Sequence, residues 1–139
     1  MNYLLDTCVI SELIARKPNP RVVAWVDSVD ESRLYLSVIA IGEIRKGIEK
    51  LTNAERRAEL REWLDNELLV RFAGRIVALD VGVMLRWGEL VGSLERAGQM
   101  MPAMDSLIAA TALHGGLGLV TRNEEDFQHA GVTIVNPWR

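Results

Sequence analysis

Tyr3-Leu4-Leu5-Asp6-Thr7-Cys8-Val9-Ile10-Ser11-Glu12-Leu13 is the stretch that decides the fold. A short apolar run that stops at a capping residue reads as a buried strand entering a helix, with Asp6 at the strand's carboxyl end. The same grammar recurs at Leu34-Tyr35-Leu36, where Ser37 is a good N-cap. Beyond it Ile41, Ile44, Ile48 and Leu51 form an apolar stripe at helical spacing, and Glu43 lies on its flank one turn in. A third acid, Asp105, opens Asp105-Ser106-Leu107-Ile108-Ala109-Ala110-Thr111-Ala112-Leu113, a helix apolar on nearly every side and therefore buried.

Working outward, five strands are predicted, at residues 2–5, 34–36, 76–79, 117–121 and 132–135, with helices between them. Asn19-Pro20 starts one helix with a capping amide before a proline at the first helical position. Asn53 caps a charged helix from Ala54 to Leu64 whose apolar side continues through Leu60, Leu64, Leu68 and Phe72. Asp80 caps Val81 to Ala97, and Gly98 stops it. Alternating strands and helices imply an α/β fold, a mainly parallel central sheet of four to five strands flanked by helices. No linker, repeat or low-complexity stretch divides residues 1–139, so one domain is expected.

With 49% hydrophobic residues the chain has material for a core, and its net charge of −3 argues against a broadly basic coat for nucleic acid. A local basic rim is still compatible with that balance. Apolar segments are interrupted well short of a membrane span, and the start Met1-Asn2-Tyr3-Leu4-Leu5-Asp6 carries neither a basic region nor a signal core. A soluble, cytoplasmic protein is expected, and the single cysteine suits a reducing compartment.

In an open parallel sheet the carboxyl ends of the strands share one edge, so Asp6, Glu43 and Asp105 can meet in one crevice. Each alone has an ordinary explanation. Asp6 can cap its helix, Asp105 can favour its helix N-terminus, and Glu43 can pair with Lys46 on a helix surface. Together they are costly. Two carboxylates about 4 Å apart repel by roughly 4 kcal/mol at an effective dielectric of about 20, so the cluster calls for a proton or a cation. All-oxygen ligands select Mg²⁺ or Mn²⁺ over zinc, and neither Cys8 nor His114 has the neighbours for a zinc site.

Five blocks, taken in order, resemble a known family: Leu4 to Leu13; Leu36-Ser37-Val38-Ile39 leading to Gly42-Glu43-Ile44-Arg45-Lys46-Gly47; Met104 to Ala112; Leu119-Val120-Thr121-Arg122-Asn123; and Asn136-Pro137-Trp138. They look like a PIN domain, and within that family they are most similar to the VapC toxins of bacterial toxin–antitoxin pairs, in the FitB-like subgroup. The resemblance spans essentially the whole chain. It implies a metal-dependent endoribonuclease in which Asp6, Glu43 and Asp105 are catalytic and hold Mg²⁺ or Mn²⁺, with a metal-activated water attacking an RNA phosphodiester. It also implies a homodimer silenced by a small cognate antitoxin. The apolar stripe of Leu60, Leu64, Leu68 and Phe72 beside Trp63 is expected to leave a groove for that partner's helix.

Two positions depart from the family pattern. Cys8 stands where many relatives carry Asn, and Asn123 stands where many have a fourth acid. Asn123 can still offer a carbonyl oxygen, and Glu124 or Asp126 can supply the missing carboxylate. Thr7 and Thr121 are candidates to support the ligands from behind. Arg16-Lys17, Arg45-Lys46 and Arg122 are candidates for phosphate contact, with Arg45 and Arg122 taken as the RNA-binding pair. A PIN-like fold that has lost catalysis and acts as a binding partner is the first alternative. A phosphoacceptor receiver with Asp80 as its site is the second, but the chain lacks the second acid beside Asp6 and the lysine after the last strand that it requires. The four tryptophans read as packing residues and His114 as a helix-end charge.

Overall fold

A computed structural model describes all residues, 1–139. Its strands are β1 (Tyr3–Leu5), β2 (Leu34–Ser37), β3 (Ile76–Val77), β4 (Gly118–Val120) and β5 (Ile134–Val135). They form one sheet in the order β3-β2-β1-β4-β5, and every neighbouring pair is parallel. The chain therefore runs outward from β1 to β2 and β3, then crosses to the other side for β4 and β5. Such a reversal leaves a crevice outside the carboxyl ends of the central strands, where crossover connections diverge to opposite faces. Asp6 sits at that point, its N–H still donating to the carbonyl of Val120 at 2.9 Å.

Side-chain alternation along these short strands feeds two cores, one on each face. Leu5, Leu34, Leu36 and Val120 face one, with Val9 and Ile10 of α1 (Thr7–Leu13), Val22 and Val26 of α2 (Pro20–Ser28), and Ile44 and Ile48 of α3 (Val38–Glu49). Leu4 and Leu119 face the other, covered by Ile108, Ala109 and Ala112 of α7 (Ala103–Gly115) and by Phe127 at the end of α8 (Glu124–Phe127). The polar crossovers carry the expected caps: Asn19 accepts from Arg21 N, Ser37 from Ala40 N, Asn53 from Arg56 N and Asp80 from Val83 N.

The predicted strands are all present but shorter at several ends. Ala78 and Leu79 leave edge strand β3 early because they lead into the Asp80 cap of α6 (Val81–Arg96). The helix holding Asp105 begins two residues earlier than its acid, at Ala103, and follows another helix rather than a strand, so Asp105 reaches the sheet edge by a different route from Asp6.

The stripe expected to seat a partner along residues 54–72 is largely taken up by the chain's own core, and a smaller apolar depression of about 270 Å³, lined by Ile10, Leu13, Ile14, Trp63 and Leu68 among others, stays open beside it. Helix α4 (Ala54–Trp63) runs into a π-turn at Leu64–Leu68 and a last turn, α5 (Leu69–Arg71). Leu64, Leu68 and Phe72 are 2%, 3% and 0% exposed and belong to the chain's own core. Each step of four overshoots a 3.6-residue turn by roughly 40°, so a straight α-helix would carry such a stripe around its axis. Widening one turn keeps the three side chains pointing inward. Exposed apolar residues lie elsewhere, among them Val81, Met84 and Leu85 of α6. No helix is long and apolar enough to cross a membrane.

Candidate functional site

The carboxyl edge of the sheet opens into a crevice of about 490 Å³ lined by nine residues, of which Asp6, Glu43, Asp105, Arg122 and Asn123 are among those singled out in the sequence. Asp6 is only 6% exposed and is held on both oxygens. The Thr7 N–H donates to its Oδ1 at 2.9 Å, so the capping role is real and coexists with the crevice. The buried Thr121 hydroxyl donates to Oδ2 at 2.8 Å and in turn accepts the Asn123 N–H at 3.0 Å. Thr7 also donates its hydroxyl to Glu43 Oε1 at 2.7 Å, which fixes the acid of α3 against the first turn of α1. Both threonines thus orient carboxylates, Thr121 from the buried side and Thr7 from the wall of the crevice.

Charge in this crevice is expensive. Burial pushes the Asp6 carboxyl above its ordinary value, against the hydrogen bonds from Thr121 and Thr7, and Glu43 pushes it further. Asp105 is pushed up to about 6, first by burial and then by Asp126, Asp6 and Glu43. Asp126 therefore feels the crevice, although it lines the adjoining depression with Arg122, Asn123 and Glu124 rather than the crevice itself. Glu124 is engaged elsewhere, accepting from Asn136 Nδ2 at 2.7 Å and pairing with Arg139 at 3.0 Å. Cys8 Sγ lies 3.9 Å from Asp6 Oδ2 and 3.6 Å from Thr121 Oγ1, and burial pushes its thiol up.

The acids face one crevice without closing on one point: no three Asp, Glu, His or Cys side chains are drawn together closely enough to hold a metal ion as they stand. The donor set nevertheless fits a hard divalent cation. It is all oxygen, it is pre-oriented by threonine hydroxyls, and the raised Asp6 and Asp105 carboxyls are groups that a cation would return to the charged form.

Of the two arginines expected to meet RNA, Arg122 lines the crevice and Arg45 does not. Arg45 is engaged with Glu49 at 3.1 Å and Asp65 at 3.9 Å. Lys46 and Lys50 instead line a second groove that shares Glu43 with the crevice. Ser11 and Glu12 also line the crevice and were not singled out in the sequence. Their spacing from Cys8, three and four residues on, places them on one face of α1, and that periodicity was the available signal.

The PIN domain model matches residues 3–132 of this chain. The chain belongs to the PIN domain family. This PIN domain is 40% identical to the toxin FitB of Neisseria gonorrhoeae over 135 residues, covering 97% of each chain. It is 36% identical to the VapC ribonuclease Y4jK of Sinorhizobium fredii over 135 residues, 97% of this chain and 96% of that one. Among solved structures, the crystal structure of FitAcB from Neisseria gonorrhoeae superposes with a TM-score of 0.94 at 39% identity, covering 99% of each chain. The fold is thus shared along its whole length with FitAcB, and the sequence along nearly its whole length with relatives named as a toxin and as a ribonuclease.

Proposed function

We propose that this PIN domain is a Mg²⁺- or Mn²⁺-dependent endoribonuclease of the cytoplasm and the toxin of a toxin–antitoxin pair. The observation that carries the reading is the convergence of Asp6, Glu43 and Asp105 on one crevice at the point where the sheet order reverses. The names of FitB and Y4jK support the toxin and ribonuclease parts. Asp6, Glu43 and Asp105 would hold the cation, with the Asn123 carbonyl oxygen beside them. When bound, such an ion lowers the pKa of a water molecule and neutralises charge on phosphodiester oxygens.

The residues of the chain supply the rest. Thr121 and Thr7 hold Asp6, and Thr7 holds Glu43, so neither acid has to be ordered when substrate arrives. Glu43 or Asp105, besides holding the cation, can accept a hydrogen bond from the attacking water. Arg122 brings the only positive charge in the lining to the phosphate. No covalent intermediate is needed. A small antitoxin protein and a second copy of the chain are the expected partners.

Calorimetric titration with Mn²⁺ tests the site. Wild type should bind, Asp6→Asn and Glu43→Gln should bind at least tenfold more weakly, and Asn123→Asp should bind more tightly because it adds a charge to a cation site. Tighter binding by Asn123→Ala than by Asn123→Asp, or unchanged binding on loss of Asp6, would contradict it.

A further inference from the structure

Arg122 is the only arginine that lines the acid crevice. Arg45, Arg56, Arg61, Arg71 and Arg86 each hold a carboxylate within 4.0 Å. The Arg122 guanidinium holds none, and its partner is the ring of Trp138, 5.1 Å from the ring centroid. Two of the acids around it are engaged elsewhere. Glu12 accepts the Trp138 Nε1–H at 3.0 Å, and Glu124 is taken by Asn136 and Arg139. Trp138 is itself fixed, packed against the larger core, with its N–H on Asn136 Oδ1 at 3.0 Å. An aromatic plate packed against the core thus carries a guanidinium that holds no carboxylate, at the rim of an acidic crevice.

A guanidinium stacked on an aromatic ring keeps its N–H edge for a bidentate contact, which suits a phosphate better than a flexible ammonium does. An unsupported arginine at this place would instead fold onto the crevice acids and cancel them. We propose that Trp138 is a positioning residue, holding Arg122 away from Asp6 and Glu43 so that it meets a phosphate of the RNA strand next to the acid site. The inference rests on the ribonuclease reading, which it deepens by naming a substrate contact and the device that aims it.

Binding of a fluorescein-labelled single-stranded oligouridine, followed by anisotropy over a salt series in Ca²⁺ with the oligonucleotide checked for integrity, tests this. Each phosphate contact on a single strand contributes about 0.7 to the slope of log affinity against log salt. Arg122→Gln should lower the slope by about 0.7. Trp138→Leu should lower it equally although it removes no charge, the double variant should lose nothing further, and Trp138→Phe, which keeps a ring, should restore most of it. Arg56→Gln, which removes the same charge from a guanidinium already engaged by Glu59, should change it little. Mn²⁺ titration of Trp138→Leu should match wild type, showing that the crevice survives. A wild-type slope in Trp138→Leu, or equal effects of Arg122→Gln and Arg56→Gln, would overturn the assignment while leaving the ribonuclease reading in place. A wild-type protein that does not bind RNA at all would overturn both.

Discussion

Asp105 shows how a single residue can report on the crevice. Its carboxyl is pushed up to about 6, above the roughly 3.9 of an unfolded chain. The folded, metal-free protein therefore holds a proton there that the unfolded chain has released. The stability this contributes is fully present below about pH 4 and is lost as the pH rises through 6. Asp105→Asn should accordingly stabilise the metal-free protein at pH 7.5, by on the order of 1 kcal/mol or less because the side chain is only partly buried, and the gain should shrink towards pH 5. Glu49, held down to about 2 chiefly by its hydrogen bond from Arg61, works in the opposite sense below about pH 4.5 and stays outside that window. Urea denaturation at the two pH values checks it, and a larger gain at pH 5 than at pH 7.5 would contradict the assignment. Thr121→Val deletes the hydroxyl that serves both Asp6 and Asn123, and should cost about 1–3 kcal/mol at neutral pH, less as the pH falls and the Asp6 carboxyl, raised by burial, takes up a proton. Asp6 and Glu43 were legible in the sequence because a strand end and a helix cap are local signals. The engagement of Glu12 by Trp138 was not, since 126 positions separate the two side chains and only the assembled sheet brings them together.

At the level of elements, capping residues and apolar runs marked where most helices begin and every strand lies, because those signals act within a few residues. The stripe over residues 54 to 72 reads as more exposed than it is for the same reason. Its i, i+4 spacing looks like the outer face of a long helix, but the face is turned inward only after the π-turn at Leu64–Leu68, and the pull that widens that turn is burial against α1 and the sheet. Propensity carries no record of it. Phe72, fully buried at the end of this segment and lying beneath the guanidinium groups of Arg71 and Arg75, is the side chain on which it depends most. Phe72→Ala should cost about 3–5 kcal/mol by loss of transfer energy and creation of a cavity. A thermal or urea unfolding series checks this, and a loss below 1 kcal/mol would mean the segment is not held by the core.

On the scale of the whole molecule, the fold places chemistry by topology. The strand order reverses beside β1, so the strand that begins the chain also carries the central acid, and residues from α1, α3, α7 and the end of β4 converge there. The same topology leaves Val81, Met84 and Leu85 exposed on α6, away from the stripe that the sequence suggested for a partner. Co-expression with a small adjacent antitoxin should yield a stable complex without nuclease activity, and light scattering of the free protein should show a dimer or larger. A monomer indifferent to that antitoxin would contradict the partner assignment.

The most direct test of the account is cleavage of RNA by purified wild type and Asp6→Asn, each with Mg²⁺ or Mn²⁺ and with EDTA, after circular dichroism has shown both to be folded. The account predicts cleavage by wild type with either cation, none in EDTA, and a loss of at least about a hundredfold in Asp6→Asn, as expected when a charge-stabilising group of the site is removed. Cleavage by wild type that persists undiminished in EDTA, or equal cleavage by Asp6→Asn, would contradict it.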